Sequence, residues 1–336
     1  MAQLLHDLIT NAAWKAPEAM AFCVVDDAAA CRLSYGQLEQ GMQASAQAFL
    51  GLGIGRGERV AILLDKRAET LFAMFGALAA GAAFLMIDAA LDSEAVAAIL
   101  RHSQARILVT TPGRRIVLEP ALRSCPLLRC ILQTGEDGAA VPGLAIFSWN
   151  DALAQGGRLY LARVDDAESV ALIYTRSPGG APRAMALSHC GMLDYAAKLV
   201  ARLGERAQHR SLALLPISDG CNLGLLASTF AARGEVVAIN QVMAREVPGL
   251  VAREQITSLA AQPWLWMQVA GCDWVLSRAL RSVISVGGTL PRPTLDALQR
   301  RLPLAQVFLM HMRQVGGGDM LVEHPGMRPE HALPVS

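Results

Sequence analysis

Residues 59–87 read RVAILLDKRAETLFAMFGALAAGAAFLMI, and this stretch decides the fold. The compact apolar run at 59–64 predicts a buried strand. Residues 69–80 then place Leu71, Phe75 and Leu78 on one helical face, and a second apolar run follows at 84–87. A strand, a helix and a strand in this order predict a βαβ unit, because two parallel strands need a long crossover connection.

The same alternation of apolar runs and helical periodicity continues along most of the chain. The further predicted strands are 106–110, 130–133, 169–175, 211–215, 235–239, 281–286 and 306–310, and the further predicted helices are 36–52, 94–102, 192–203, 223–232 and 294–301. Strands without polar alternation indicate sheets covered on both faces, so we predict an α/β protein with largely parallel sheets. Polar punctuation at 135–143 and 156–168 predicts a first α/β subdomain at 1–160 and a second at 161–336.

Composition argues against several classes of protein. The chain has 336 residues, is 53% hydrophobic and 18% charged, and has a net charge of +1, so it lacks the basic footprint of a nucleic-acid-binding protein. Glycines and alanines interrupt the apolar stretch 71–87, which favours helix, turn and buried strand over a membrane span. The N-terminus is a poor signal peptide, so we expect a cytoplasmic location. Seven scattered cysteines without a CxxC motif predict reduced thiols and no metal site.

Four segments carry motif-like patterns in a fixed order. They are LSYGQLEQGMQASAQAFLGLGIGRGERVAILL (33–64), FAMFGALAAGAAFLMIDAAL (72–91), IYTRSPGGAPRAMALSH (173–189) and SVGGTLPRPTLDALQRRLP (285–303). Together they resemble the N-terminal part of the adenylate-forming superfamily of acyl-CoA synthetases, peptide-synthetase adenylation domains and luciferases. The resemblance implies two packed α/β subdomains with mostly parallel sheets and flanking helices. It also implies a reaction in which a carboxylic acid attacks ATP to give an acyl adenylate and pyrophosphate, after which a thiol takes the acyl group.

The third segment stands where the family has its phosphate loop, T-S-G-S-T-G-x-P-K-G. A loop of this kind needs small residues so that backbone N–H groups surround the phosphates, hydroxyls as further donors, and a cation. By this resemblance the candidate ATP-binding residues are Thr175, Ser177, Gly179, Gly180 and Arg183, of which Arg183 takes the place of the lysine. The cofactor implied is ATP with Mg²⁺.

The same loop departs from the family pattern over a continuous run. Arg176 replaces a serine, Ser177 a glycine, Pro178 a serine and Gly179 a threonine, and Ala184 replaces the last glycine. Pro178 removes a backbone N–H and fixes φ, and two hydroxyl donors are lost. Since each charge-assisted hydrogen bond to phosphate is worth about 1.5–3 kcal/mol, we expect ATP to bind weakly. The loop is still glycine-rich and basic, so weak anion binding stays open as an alternative.

Two later motifs change in the same direction. Where the family has Y-G-x-T-E, this chain has MHMRQ at 310–314, with Arg313 for the threonine and Gln314 for the glutamate that coordinates magnesium. A neutral amide is a poorer Mg²⁺ ligand than a carboxylate. In LLPISDGCNLGLL (214–226), Asp219 stands near the place of the family's histidine. It is a candidate pocket residue, although an aspartate in a loop is more often a turn or cap residue.

A substrate pocket is predicted between residues 211–223 and 286–289. Its candidate residues are Asp219, Gly287, Gly288 and Thr289. Glycines at a strand end allow a ligand close to the backbone, and they equally serve a tight turn, so both interpretations stay open.

The chain ends at HPGMRPEHALPVS (324–336), where the family continues with G-S-V-G, a small β-barrel and a mobile lid. The lid carries the catalytic lysine, so no catalytic residue is assigned by match, and we expect a shortened, degenerate relative without barrel and lid. Apolar surface left bare by a missing barrel would favour a homo-oligomer or a protein partner.

Three hypotheses of function follow. The preferred one is a member without full adenylating activity that acts as a binding or scaffold partner in biosynthesis on acyl or aminoacyl carrier proteins. The second is a half-enzyme completed by another chain. The third is an enzyme with residual adenylate chemistry that uses Arg183 and a remodelled loop. The sequence does not indicate the acid.

Overall fold

The computed structural model describes residues 3–25, 31–135, 143–154, 164–175, 183–274, 278–312 and 320–323. The helices in these ranges are α1 (Asp7–Lys15), α2 (Tyr35–Gly51), α3 (Ala68–Ala79), α4 (Ser93–Ser103), α5 (Pro112–Leu122), α6 (Trp149–Ala154), α7 (His189–Leu203), α8 (Gly220–Ala231), α9 (Val247–Arg253), α10 (Pro263–Val269) and α11 (Arg292–Arg301), with a 3-10 turn at Ala244–Glu246. The strands are β1 (Met20–Val24), β2 (Cys31–Ser34), β3 (Arg59–Leu63), β4 (Ala83–Met86), β5 (Ile107–Thr110), β6 (Cys130–Gln133), β7 (Ala145–Ser148), β8 (Ser169–Thr175), β9 (Arg183–Ser188), β10 (Arg210–Ala213), β11 (Glu235–Ala238), β12 (Ser258–Ala261), β13 (Ser282–Val286), β14 (Gln306–Met312) and β15 (Met320–Glu323).

The βαβ unit predicted from residues 59–87 is confirmed as β3, α3 and β4. The two strands pair in parallel, with Val60 opposite Phe84. Their sheet has the order β7-β6-β5-β3-β4-β8-β9 and is parallel except for the antiparallel pair β8–β9. Helices α4 and α5 bury their apolar faces against one side of this sheet, and α3 packs against α2. Right-handed crossovers explain why α3 and α4 cover opposite faces of the sheet. The chain crosses from β3 to β4 in one direction, and from β4 past β3 to β5 in the opposite direction.

The second sheet has the order β15-β14-β13-β12-β10-β11-β1-β2. The pairs from β14 across to β1 are parallel, and β14–β15 is antiparallel. Helices α9, α10 and α11 form one core with Leu212, Leu259 and Val283. Helices α7 and α8 form another core with Ala260 and Ile284. Because successive residues of a strand point to opposite faces, Leu259 and Ala260 show that the two helix groups cover opposite sides of the sheet.

The chain divides into two compact units at a different place from the predicted boundary. The first unit contains Met1–Ala19 and Ser34–Gly191, and the second contains Met20–Leu33 and Met192–Ser336. The prediction placed 161–336 together, but β8 and β9 pair with the first sheet. Conversely, β1 pairs with β11 of the second sheet, so an early segment of the chain belongs to the later unit. Punctuation in the sequence marks loops, whereas these strand pairings are long-range contacts that no local pattern records.

None of the helices in the described ranges has both the length and the apolar character needed to cross a membrane. The apolar stretch 71–87 contains most of α3, a turn at Gly81 and the strand β4, as the sequence predicts.

Helices α2 and α3 approach each other closely at Gly76. A Cβ atom at this position would lie 2.5 Å from Ser45 Cβ and 3.1 Å from the carbonyl oxygen of Met42. The second of these atoms belongs to the backbone of α2 and cannot rotate away. The glycine is therefore required by the spacing of the two helices.

We expect Gly76→Ala to destabilise the first unit by about 1–3 kcal/mol, because the added methyl group forces α2 and α3 apart. Gly51→Ala is the matched control, since nothing lies within 4 Å of a Cβ at that position. Urea unfolding followed by circular dichroism measures both. Equal unfolding free energies for the two variants would contradict the close approach.

A buried histidine, His189, and a partly buried one, His6, lie together where the N-terminal segment packs in the first unit. His189, only 2% exposed, accepts a hydrogen bond at Nδ1 from the backbone N–H of Leu5, with an N–N distance of 2.9 Å. The ring of His6 lies edge-on to it at 6.1 Å between centroids. Burial and the neighbouring His6 lower the pKa of His189 to about 4, against a weaker opposing effect of Glu168 and Asp7. Burial also lowers the pKa of His6, with Asp7 opposing.

Stability is therefore expected to fall as the pH drops from about 6.5 towards 4. In that window histidines of the unfolded chain bind protons, whereas His189, with a pKa of about 4, stays neutral in the folded chain and the lowered pKa of His6 delays its protonation, so acid favours unfolding. Urea unfolding at several pH values measures this slope. His189→Gln should flatten it, because the histidine with the lowered pKa is removed. A slope equal to that of the parent would contradict the assignment.

Candidate functional site

The predicted phosphate loop connects two paired strands of the first unit. Strands β8 and β9 are antiparallel, with Tyr174 opposite Ala184 and Thr175 opposite Arg183. The connecting residues 176–182 lie outside the described residues, and with them the candidates Ser177, Gly179 and Gly180. The structure thus brings together the backbones of the two remaining candidates of this loop, Thr175 and Arg183, at the end of one hairpin.

The hairpin is held in place along β8 and at the start of that strand. Strand β8 pairs in parallel with the buried strand β4, with Ala171 opposite Phe84. Before β8, Glu168 accepts a hydrogen bond from Arg56 Nε at 3.0 Å and another from the backbone N–H of Asp165 at 2.8 Å. The hydrogen bond from Arg56 and that from Asp165 hold the pKa of Glu168 below its usual value. The positions of the two ends of the loop are therefore set by the sheet, and the loop's own residues decide what it binds.

In the second unit, the loops that follow neighbouring strands lead to helices on opposite faces of the sheet. Strand β10 leads into α8 on one face, whereas its neighbours β11 and β12 lead into α9 and α10 on the other face. In open α/β sheets such a reversal leaves a crevice at the carboxyl ends of the strands, and ligands bind there. Asp219 follows β10, and Gly287, Gly288 and Thr289 follow β13. Both groups of candidate pocket residues lie on this carboxyl edge, with β12 between their strands.

Asp219 is the N-cap of α8. Its Oδ1 accepts hydrogen bonds from the backbone N–H groups of Cys221 at 2.8 Å and Asn222 at 3.3 Å. The side chain of Asn222 donates to the carbonyl oxygens of Leu215 and Pro216, which fixes the loop before the cap. Burial raises the pKa of Asp219, and the two backbone hydrogen bonds oppose that shift. The carboxylate therefore has a structural role in this loop, as the capping alternative from the sequence describes.

Tyr195 of α7 is a further candidate that sequence reasoning missed. Its side chain is buried at 7% exposure, and its hydroxyl has no hydrogen-bond partner in the part of the chain that the structure describes. Burial, together with the nearby Cys221 and Asp219, raises its pKa well above the usual value, so it is a neutral donor. The sequence signal is a single polar tip within the apolar stripe of α7, which is indistinguishable from an ordinary core tyrosine without the fold.

Gly287 and Gly288 form the turn between β13 and α11. Gly287 has φ of +81°, which favours glycine, and its N–H donates to the carbonyl oxygen of Met310 at 3.0 Å. A Cβ on Gly288 would lie 3.0 Å from Pro263 Cγ. Ser285 Oγ also donates to the Gly288 carbonyl oxygen at 3.0 Å, and Thr289 is exposed beside the turn. The turn interpretation thus accounts for both glycines, and Thr289 has an exposed position on the carboxyl edge.

The other altered motif lies at the end of β14. Met310 is fully buried at the carboxyl end of this strand, and His311 pairs with Leu321 of β15. Arg313 and Gln314 lie outside the described residues. Within the described ranges no group of three or more histidine, cysteine, aspartate or glutamate side chains is placed to hold a metal ion.

Two mostly parallel sheets, a hairpin at the phosphate-loop position and a strand-order reversal at the carboxyl edge define an α/β protein of the adenylate-forming class. A family model described as AMP-binding enzyme matches residues 9–311, and the chain belongs to that family.

Curated relatives are longer than this chain. It is 26% identical over 299 residues to phenyloxazoline synthase MbtB of Mycolicibacterium paratuberculosis, covering 87% of this chain and 23% of that protein. It is 27% identical over 241 residues to the crotonobetaine/carnitine–CoA ligase of Salmonella paratyphi A, covering 70% of this chain and 46% of that protein. The chain therefore spans less than half the length of these relatives.

Solved structures share the fold. The anthranilate CoA ligase AuaEII in complex with anthranoyl-AMP aligns with a TM-score of 0.81 and 21% identity over 97% of this chain and 63% of that chain. The N-terminal domain of FACL13 from Mycobacterium tuberculosis aligns with a TM-score of 0.80 and 18% identity over 96% of this chain and 79% of that chain. The predicted family and the predicted α/β fold with mostly parallel sheets are both confirmed.

Asp219 variants separate the capping role from a role of the charge. Asp219→Ala is expected to lower the free energy of unfolding by about 1 kcal/mol, because the N–H groups of Cys221 and Asn222 lose their acceptor. Asp219→Asn keeps an acceptor oxygen and should unfold close to the parent. Thermal unfolding of both variants measures the difference, and an asparagine variant as unstable as the alanine variant would show that the charge is needed.

Proposed function

We propose that this protein is a member of the AMP-binding enzyme family without full adenylating activity. In this proposal it binds an acyl or aminoacyl group, or the carrier protein that bears one, and serves as a binding or scaffold partner in their biosynthesis. The observation that carries the proposal is the replaced run at 176–179, where the loop expected to hold ATP has RSPG.

The physical reason is the loss of hydrogen-bond donors to phosphate. Pro178 has no N–H. Three hydroxyl side chains of the family pattern are absent, at 176, 178 and 179, and Ser177 adds one, so the net loss is two. Each charge-assisted hydrogen bond lost costs about 1.5–3 kcal/mol, so two or three losses weaken binding by several orders of magnitude. Gln314 replaces the carboxylate expected to coordinate Mg²⁺, which weakens the metal-bound nucleotide further.

Because the hairpin that carries the loop is held by the sheet, the residues of the loop itself determine how tightly ATP binds. Since β8 pairs with β4 and Glu168 with Arg56, the two ends of the loop have a defined separation whatever residues lie between them. Restoring the family residues within 176–179 changes the donors and leaves this frame intact. The loop can therefore be tested without altering the rest of the first unit.

The carboxyl edge of the second unit supports retention of acid binding. Asp219, Tyr195 and the exposed Thr289 lie among elements that end or begin at this edge. Tyr195 offers a buried hydroxyl with a raised pKa and no partner among the described residues. Matched relatives named as synthases, phenyloxazoline synthase MbtB and tyrocidine synthase 2, are much longer than the matched segment, which supports a carrier-based assembly as the partner class.

The alternative function is an active or split adenylate-forming ligase. Its support is that the backbone of Thr175 still faces that of Arg183 across the hairpin, so the frame of the loop keeps a threonine and a cation at its ends. In that case the acid reacts with ATP to give an acyl adenylate, and another chain supplies the barrel and lid.

ATP–pyrophosphate exchange with a panel of carboxylic and amino acids tests the proposal. We expect no exchange by the parent protein and weak MgATP binding by calorimetry. The loop variant Arg176→Ser/Ser177→Gly/Pro178→Ser/Gly179→Thr should bind MgATP about 100-fold more tightly or better, because donors return. Adding Arg183→Ala to that variant is the matched control and should remove the gain. Exchange by the parent alone would overturn the proposal, and exchange only after a lid-bearing chain is added would establish the split ligase.

A further inference from the structure

A second cleft lies on the opposite edge of the second sheet. Its volume is about 460 Å³, and it is lined by residues that include Arg206, His209, Thr257, Arg281, Leu304 and Gln306. We refer to it as the amino-edge cleft. Thr257, Arg281 and Ala305 immediately precede β12, β13 and β14, and His209 precedes β10. These four strands are adjacent and parallel, so their amino ends meet at one edge, away from the edge of Asp219 and Gly287.

The charge of the amino-edge cleft is positive. Arg206 and Arg281 line it, and none of its lining residues is an aspartate or glutamate. Arg206 is exposed and its guanidinium has no hydrogen bond or ion pair with the described residues. Among the described residues, Arg281 donates to two backbone carbonyl oxygens, those of Arg278 and Leu280, and makes no ion pair. Both cations thus keep donors for an incoming anion.

Three buried glutamates next to these strands contact other side chains. Glu205, whose side chain is 1% exposed, lies 3.3 Å from His209 Nε2 at its Oε1. Glu235 and Glu254 face Arg210, at 2.9 and 3.5 Å respectively. None of the three makes an ion pair with Arg206 or Arg281 among the described residues.

The cleft is lined by a buried histidine, His209, that has a ring nitrogen without a hydrogen bond among the described residues. His209, 7% exposed, has its Nδ1 3.0 Å from Thr257 Oγ1, while its buried Nε2 makes no hydrogen bond of acceptable geometry despite the nearby Glu205. An unpartnered polar atom on a residue this buried is costly unless something else satisfies it. Gln306 and Gln208 add neutral donors at the rim.

The cleft also has an apolar wall. Leu304 is 58% exposed and Leu203 is buried, and both line it. A volume of about 460 Å³ is within the range of small-molecule sites. Two arginines that make no ion pair among the described residues, beside an exposed leucine, suit a small molecule with an anionic end and an apolar body.

We propose that the amino-edge cleft binds a small organic anion, a carboxylate or phosphate ester, between Arg206 and Arg281 with its apolar part against Leu304. A carboxylate is planar and a phosphate is tetrahedral, but each presents two oxygens that a guanidinium group binds through parallel hydrogen bonds. The site is separate from the loop and the carboxyl edge used in the proposed function, and it does not depend on them.

Calorimetric titration of the full chain with phenyl phosphate, benzoate and inorganic phosphate tests this site, with benzyl alcohol as the uncharged analogue. We expect phenyl phosphate and benzoate to bind and benzyl alcohol not to bind. Arg206→Gln/Arg281→Gln should weaken phenyl phosphate binding by about 100-fold, from about 10-fold for each arginine. Leu304→Ala should weaken phenyl phosphate binding and leave inorganic phosphate unchanged.

One control variant locates the binding. Arg245→Gln changes an exposed arginine at the other edge of the same sheet and should bind phenyl phosphate like the parent. Retention of phenyl phosphate binding in the Arg206/Arg281 variant would overturn the proposal, as would the absence of binding at millimolar ligand. Circular dichroism checks that each variant is folded. If the double variant does not fold, Leu304→Ala still tests the proposal, because it leaves both arginines in place.

Discussion

The constraint on which the structure depends is the parallel direction of neighbouring strands that are joined by right-handed connections. Because β10, β11, β12 and β13 are parallel, the loops after β10, β12 and β13 share one edge of the sheet, and the loops before those strands share the opposite edge. The right-handed connections decide the faces, so that α8 follows β10 on one face and α9 follows β11 on the other. Each edge then acquires its own chemistry from residues that are far apart in the chain.

The two edges of the second sheet differ in electrostatics. At the carboxyl edge, the Asp219 carboxylate accepts hydrogen bonds from backbone N–H groups, and the raised pKa of Tyr195 keeps its hydroxyl neutral. At the amino edge, Arg206 and Arg281 line the cleft with positive charge, and the buried Glu205 lies 3.3 Å from His209. The two edges therefore present different groups.

Much of the fold was predictable from the sequence, because β3, α3 and β4 each bury a continuous apolar face that produces a clear local period. The sequence also predicted β10, β11, β13 and β14 and the helices α7, α8 and α11, but it missed β12. The short strands β1 and β2 also escaped prediction, since β1 is placed by pairing with β11 more than two hundred residues away and β2 follows it at the edge of the sheet. The domain boundary failed for the same reason.

The candidate sites were predictable to a smaller extent. Motif spacing found Thr175, Arg183 and Asp219, but the capping role of Asp219 needed the observed hydrogen bonds to Cys221 and Asn222. Tyr195 and the amino-edge cleft left no motif, because each depends on burial and on neighbours brought by other strands. A sequence records which residues are present, and the sheet order decides which of them meet.

The position of β1 has a consequence for synthesis and for dissection of the chain. Because Val24 pairs with Ala238, the ribosome delivers one border of the second sheet long before its partner strand emerges. Segment 20–33 therefore stays unpaired during synthesis until the second unit emerges, although the rest of the first 191 residues belong to the first unit. A fragment that ends at Gly191 would contain β1 and β2 without the sheet they pair with. The fragment that begins at Met192 would have β11 as an exposed edge strand, and such an edge promotes pairing with other chains.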